Sequence, residues 1–425
     1  MQIGDKINEI YADISTNVTK IYHRNNLHLG IDLVFHSPLS FYFGNKFISK
    51  GFPELLVIGD TRCGKSETAT CLLRHYRLGA RASGENATLA GLVGGLDQVR
   101  NGWRVSWGRI PLNHRRLLVI DEVCGLTHED IGKMSDLRSS GVAEINKIRI
   151  EQTHAKTRLV WISNPREKSP IGNIASGPGM IEHLIGKPED VARFDFVIIL
   201  DKREVDAAGA DERKQPEVPH VYTSDLCHDL VLWAWSRTPD QVRLSSATVD
   251  ACHDYGELMC KHYSSDCPLV NTMEQKLKIA RLAVALACRL FSTDKTGELV
   301  IVTPEHVKFV YEFMCQQYNM PQFGYDLYAR RMRTTEKIKN KAEVVELLTK
   351  WGEHIVFQLI DGYQLTVKFI EESTGCEYNE AKVHLAKLIR NGCVTKKHNF
   401  YVKTPAFIEL LKEVTEKPLN HKEDF

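Results

Sequence analysis

At 425 residues the chain exceeds one compact domain and predicts two to four. A hydrophobic fraction of 43% and a charged fraction of 26% suit a globular protein with a sizeable core, and exclude a disordered or fibrous chain. The formal charge of +1 excludes a surface coated in cations, so any nucleic-acid contact must come from a few clustered basic residues.

Residues 1–50 read as a helical segment with a break near Pro38. Within it, Met1 to Ser15 sets Asp5, Glu9 and Asp13 among apolar residues, unlike a signal peptide. The cysteines are scattered with no C-x-x-C pair, which fits a reducing compartment better than a disulfide framework. No apolar run reaches the length of a membrane span. The expectation is a cytoplasmic protein, nucleoid-associated if the host is bacterial, with no membrane partner.

From Glu54 the texture changes. Short apolar runs at Leu55–Ile58, Leu117–Ile120, Leu159–Ile162 and Phe196–Leu200 alternate with helical patterns. Such runs are strands buried on both faces, as in a parallel sheet covered by helices. Residues 51–202 are therefore an expected α/β core. A polar stretch from Lys202 to Pro219 reads as a loop, and residues 203–325 as a helical lid whose clearest helix is Met273–Phe291. Residues 326–425 open on the basic run Arg330–Arg333. They continue with helices at Ala342–Trp351 and Val367–Glu372, a turn at Gly375, a helix at Asn379–Asn391 and two short strands around Asn399. That order predicts a winged-helix domain followed by a tail.

The strongest chemical signal is Gly59-Asp60-Thr61-Arg62-Cys63-Gly64-Lys65-Ser66, which matches G-x-x-x-x-G-K-[ST] between a β run and the helical pattern Glu67–Tyr76. Glycines let backbone N–H groups curl around phosphates, the helix presents its positive end, and Lys65 reaches the terminal phosphate oxygens. The Ser66 hydroxyl is a Mg²⁺ ligand. The predicted fold class is thus an α/β P-loop NTPase that uses ATP and Mg²⁺, with Gly59 to Glu67 lining the nucleotide. Leu117–Ile120 runs into Asp121-Glu122, where Asp121 would hold Mg²⁺ and Glu122 would polarise the attacking water. Asn164, after the run Leu159–Ser163, is either a γ-phosphate sensor or an ordinary turn residue before Pro165. Arg193, in Ala192-Arg193-Phe194-Asp195, is either a cation for a neighbouring subunit's γ-phosphate or the partner of Asp190 or Asp195.

Taken together these stretches resemble the AAA+ motor domain of minichromosome-maintenance (MCM) helicases. The features that carry the resemblance are the Gly59-Asp60 start of the phosphate loop and Ala90-Gly91-Leu92 … Gly102-Trp103 … Trp107-Gly108, similar to the family's insert hairpin. They also include Ile145-x-Lys147-x-x-Ile150 with Ala155-Lys156-Thr157 and Ser163-Asn164-Pro165, and the "RFD" run at Arg193. The resemblance spans about Leu27 to Ser292, and the large N-terminal collar of cellular members is missing from that pattern. Either the chain is a compact divergent form, as in a mobile element or phage, or a partner supplies the collar's function. The resemblance implies an ATP-dependent DNA helicase working as a hexameric ring on single-stranded or forked DNA without sequence preference, with a separate primase or loader as a further partner. It implies catalytic roles for Lys65, Glu122, Asn164, Arg193 and Arg281. Arg281 stands seven residues beyond Glu274, which occupies the place of the family's first sensor-2 arginine, and Lys276 and Lys278 lie close by.

For DNA contact the resemblance points to Lys147, with Arg149 beside it, on a pore hairpin; the plain alternative is an exposed strand. Trp103 and Trp107 either stack on bases or pack the base of their hairpin. In the C-terminal domain Lys382, Lys387, Arg390, Lys396, Lys397, His398 and Lys403 suit groove and phosphate contacts, although such domains also dock proteins. Cys252, His253, Cys260, His262 and Cys267 fit no zinc spacing; Cys252, His253 and Cys260, within a helical pattern, are expected to be packing residues, and no structural zinc is expected. A protein-remodelling or loader ATPase, or a nucleotide-gated DNA-binding switch, are the competing functional readings.

Overall fold

The computed structural model describes all residues except 1, 101, 149, 167–170, 172–176, 206–208, 210, 336–337, 361–364, 398–399 and 417–425. The chain divides into two compact units, Met1–Tyr328 and Ala329–Phe425.

The first unit is built on a five-stranded, all-parallel sheet. Its strands are β1 (Leu55–Gly59), β2 (Ala80–Ser83), β3 (Leu117–Asp121), β4 (Arg158–Ser163) and β5 (Phe196–Leu200), in the spatial order β5-β1-β4-β3-β2. Every residue of β1, β3, β4 and β5 is buried, as their unbroken apolar runs require when helices cover both faces. The edge strand β2, Ala-Arg-Ala-Ser, has no β-branched or large apolar residue and gives no strand signal in the sequence.

Helices α1 (Ile3–Asp13), α2 (Asn25–Phe35) and α3 (Lys65–Tyr76) belong to this unit, and α1 runs on as a wider π turn to Thr19. The stretch after Pro38 forms a small antiparallel ribbon, Phe41–Phe43 with Lys46–Ile48, where helix was expected. The longest helices that follow are α4 (Ser224–Ser236), α5 (Ser246–Tyr263), α6 (Gln275–Arg289) and α7 (Pro304–Asn319). Helix α6 packs against α2, α5 and α7, and is buried along almost its whole length. One continuous apolar cluster joins the N-terminal helices, the sheet and these four helices.

At the centre of that cluster Arg289 donates to Asp32 at 2.8 Å, and both side chains are fully buried. Tyr11 and Tyr76 also donate to the Asp32 carboxylate, at 3.0 and 2.7 Å. Three elements distant in sequence are thereby fastened to α2. Helix α6 thus cannot leave α2 without stranding a charge in the core.

The second unit contains α8 (Lys341–Trp351), α9 (Glu353–Ile360), α10 (Val367–Thr374) and α11 (Tyr378–Arg390). An antiparallel ribbon, β6 (Val394–Lys397) with β7 (Phe400–Lys403), and a last helix, α12 (Pro405–Glu416), complete it. Gly375 ends α10 with φ +69°, the left-handed cap that a glycine adopts without strain. This unit has its own apolar cluster. Among the described residues no helix is long and apolar enough to cross a membrane.

Two buried histidines make the first unit acid-sensitive. Burial holds His36 and His306 at pKa values of about 4, below the ordinary 6.5. The unfolded chain binds a proton at each site below pH 6.5, while the folded chain stays neutral until about pH 4. Their contribution is therefore complete above pH 6.5 and is lost as the pH falls toward 4. Urea unfolding followed between pH 7 and 4.5 should show stability falling, with about one proton taken up per histidine. A profile flat across that range would refute the assignment. Separately, Asp32→Ala should cost about 3–5 kcal/mol in the same experiment, because it leaves Arg289 buried without its counter-charge.

Candidate nucleotide-binding site

The loop after β1 is shaped by its glycines. A Cβ on Gly59 would meet Lys65 Cδ at 2.8 Å, and one on Gly64 would meet Ile21 at 2.9 Å. Gly64 has φ +81°, and Arg62 also takes a left-handed conformation at φ +67°. The buried Asp60 carboxylate fastens the loop from below, accepting the backbone N–H of Ile171 at 2.9 Å and of Lys202 at 3.3 Å. Thr61, Arg62 and Glu67 are exposed, Cys63 is buried, and Ser66 is half-buried on the first turn of α3.

Lys65 is buried and folds back beneath this loop. Its ammonium donates to Gly59 O at 2.8 Å, Asp60 O at 2.7 Å and Asn164 Oδ1 at 3.0 Å. Burial pulls its pKa below the usual lysine range. All three acceptors are neutral oxygens, so a positive charge sits at the mouth of α3 with no carboxylate bonded to it. The open N-terminus of the helix adds its partial positive charge at the same place. This is an anion-binding arrangement.

The acidic pair lies along the same edge of the sheet. Buried Asp121, the last residue of β3, accepts Glu122 N at 2.9 Å and an N–H of Arg81 at 2.5 Å. Glu122 is left-handed, with φ +58°, and its carboxylate accepts the Ser83 hydroxyl at 2.5 Å. A non-glycine residue in that region costs on the order of 1 kcal/mol or more, a strain that concentrates at working sites. Arg81 and Ser83 alternate along β2, so the edge strand grips both carboxylates at once. The Ser66 hydroxyl and the Asp121 carboxylate are hard oxygen donors and fit Mg²⁺. Behind the pair, Ser163 Oγ accepts Cys124 N at 3.0 Å and donates to Asn164 O at 2.7 Å, which fixes the end of β4 against the segment after β3.

Beside the phosphate loop is a cleft of about 150 Å³ walled by Lys20, Ile21, Tyr22, Arg24, Cys63 and Gly64 among others. Tyr22 is buried, and its hydroxyl has no hydrogen-bond partner among the described residues. Lys20 and His23 on either side of it are left-handed. Ile21, Tyr22, Arg81 and Ser83 escape a reading of the sequence alone, because none belongs to a motif. The only signal in reach for Arg81 and Ser83 was their i, i+2 spacing before Gly84.

Two other expected site residues lie elsewhere. Arg193 donates from Nε to Ser135 Oγ at 2.7 Å, and neither Asp190 nor Asp195 is its partner. Its flanking carbonyls, Ala192 O and Phe194 O, both accept from the buried Lys278 ammonium at 2.8 Å. Burial lowers the Lys278 pKa to about 8. Arg281 donates to Asp195 at 2.7 Å and to Lys50 O at 2.8 Å. Glu274 is the exposed N-cap of α6. Asp195 immediately precedes β5, which runs parallel to β1. Arg193 and Arg281 therefore sit at the N-terminal edge of the sheet, about one strand length (roughly 16 Å) from the edge that carries Lys65. They do not join Lys65 within one chain.

Two hairpins project from the same unit. Val142–Asn146 pairs with Ile150–His154, and Lys147 and Ile148 stand exposed at the tip; Arg149 lies outside the described residues. Gly94–Val99 pairs with Gly102–Trp107, and the two hairpins pack against each other. Trp103 and Trp107 are half-buried, and Trp107 packs against the main core.

In the second unit Lys387 is half-buried on α11, and Arg390 is ion-paired with Glu343 at 2.6 Å. Lys396 is exposed on β6; the Lys397 side chain and His398 lie outside the described residues. Cys252, Cys260 and Cys267 are buried in apolar packing, and His253 lies against Phe43. Among the described residues no three His, Cys, Asp or Glu side chains converge as a metal site would need.

In comparisons with known proteins, no family model matches the chain and no curated protein matches it.

The Arg81–Asp121 ion pair gives a test of the metal assignment. Removing the cation in Arg81→Ala leaves Asp121 unneutralised, so Mg²⁺ should bind several-fold more tightly in the presence of a non-hydrolysable ATP analogue. Calorimetric titration measures this. A weaker Mg²⁺ affinity would mean that Arg81 supports the bound phosphates instead of competing with the metal.

Proposed function

We propose that this protein is an ATP-hydrolysing motor of the AAA+ type that works as a ring on DNA, in the manner of the MCM helicases it resembles. The observation that carries the reading is the bond from Lys65 to Asn164. Strand β4 lies between β1 and β3, so a side chain at its end reaches the phosphate-loop lysine on one side and flanks the acidic pair on the other.

Bound ATP with Mg²⁺ supplies the phosphoryl group and the charge that makes it transferable. The chain's own residues do the rest. Lys65 and the backbone N–H groups of Gly64 to Ser66 hold the terminal phosphates. Ser66 and Asp121 hold the metal. Glu122, once released from Ser83, accepts the proton of the attacking water, and Asn164 orients it. The Tyr22 cleft takes the nucleoside end. Arg193 and Arg281 stand too far from Lys65 to serve it, so a neighbouring copy's site is where their charge acts. Lys278 keeps the backbone around Arg193 in place by anchoring both flanking carbonyls. The paired hairpins, with Lys147 at an exposed tip, grip the phosphates of a strand passing through the ring.

Glu122→Gln should bind ATP and hydrolyse it at least about a hundredfold more slowly. Arg193→Ala should slow turnover by about 10³-fold or more with the fold intact. Mixing the two variants assembles some interfaces with intact Glu122 and Arg193, and ATPase activity should partly return. Failure of every mixing ratio, with both variants assembling normally, would remove the shared-site idea. Single-stranded DNA should stimulate hydrolysis, and a forked duplex should be unwound. Hydrolysis indifferent to DNA would point to a remodelling or loader ATPase instead, and binding without turnover to a nucleotide-gated switch.

A further inference from the structure

The second unit carries a feature that a sequence-blind motor does not require. Helices α10 and α11 pack together and are joined by a short turn through Gly375, and the β6–β7 ribbon follows directly. A helix pair of this kind presents its second helix to the major groove of duplex DNA.

On α11 the buried face is Ala381, His384, Leu385 and Leu388. The opposite face is a stripe at helical spacing: Asn379, Lys382, Val383, Ala386 and, one turn further, Arg390, all exposed. No acidic side chain interrupts it. Glu380 is turned aside and pairs with Lys350 at 3.2 Å, while Arg390 is neutralised by Glu343. Among the described residues no carboxylate lies within ion-pair distance of Lys382, whose ammonium rests over the Tyr378 ring at 4.5 Å.

A surface that only holds phosphates would be made of cations. This stripe is mixed. Asparagine offers a paired donor and acceptor matched to adenine, and lysine donates to guanine O6 and N7. Valine and alanine pack against the thymine methyl group. Ala386, small and central, lets the helix backbone approach the groove floor. Lys396, exposed on β6, is placed for the phosphate contact that sets register without reading sequence.

We propose that the Asn379–Lys382–Val383–Ala386 face of α11 reads a short base sequence in the major groove of duplex DNA. The second unit would thereby deliver the protein to a preferred site, while the first unit acts on whatever strand it is given. The recognised core spans about three or four base pairs, since three or four side chains reach base edges in such helices.

The test is selection of a random duplex pool by the full chain, in parallel with Lys65→Ala, which disables the phosphate loop. Both proteins should enrich the same motif, because the reading lies outside the nucleotide site; the ATPase reading stands or falls on its own assays. Asn379→Ala and Lys382→Ala, both at exposed positions, should each lower affinity for the motif by roughly tenfold and relax preference at one position. Lys396→Ala should weaken all sequences alike and reduce the salt dependence. Duplex binding with no enriched motif would overturn the proposal. So would a motif that survives the Asn379→Ala, Lys382→Ala double variant, or no duplex binding at all.

Discussion

The parallel register of the five strands is the constraint on which the rest of the first unit depends. When every strand points the same way, every loop that follows a strand emerges at one edge, and every residue that precedes a strand lies at the other. Gly59, Asp121 and Ser163 end their strands, so the phosphate loop, the acidic pair and Asn164 converge without further design. Glu54 and Asp195 precede theirs, and they anchor the cations of the opposite edge. The sheet therefore carries two chemically distinct rims, one with the Lys65 loop and the acidic pair and one with Arg281 and Lys278.

The opposite rim is held by charge rather than by apolar packing alone. Arg138 donates to Glu54 at 2.7 Å, and Lys50 pairs with the same carboxylate at 3.0 Å. Arg281 reaches Asp195, and the Lys278 ammonium gathers three backbone carbonyls, Ala192 O, Phe194 O and Leu269 O. Buried ion pairs add little to net stability compared with apolar packing, but losing one partner is costly. Their effect here is geometric. The backbone on both sides of Arg193 is pinned, which leaves its side chain as the adjustable part.

The edge strand β2 joins the acidic pair to the hairpins. Arg81 and Ser83 hold the two acidic side chains, and the chain continues through a short helix, Leu89–Leu92, into the hairpin Gly94–Trp107. That hairpin packs on its neighbour, whose tip bears Lys147 and Ile148. The hairpin Gly94–Trp107 is thereby linked along the chain to Ser83, whose hydroxyl is hydrogen-bonded to Glu122.

Much of this was legible in the amino-acid order. The Gly59–Ser66 loop is a local pattern whose spacing is set by backbone geometry, and four short apolar runs bounded by polar residues or glycine read as strands covered on both sides. Helical periodicity also marked α6, α8, α10 and α11, but not α9 or the last helix α12. Tertiary structure alone decided what depends on meeting across the chain. Asn164 becomes a partner of Lys65 only because β4 inserts beside β1, and Arg81 and Ser83 matter only because an unremarkable four-residue segment pairs with β3. Arg390 looked like a free cation until Glu343, 47 residues away, was folded against it. A sequence records which groups exist and their local rhythm; which of them neutralise one another is settled by distances that only the folded chain defines.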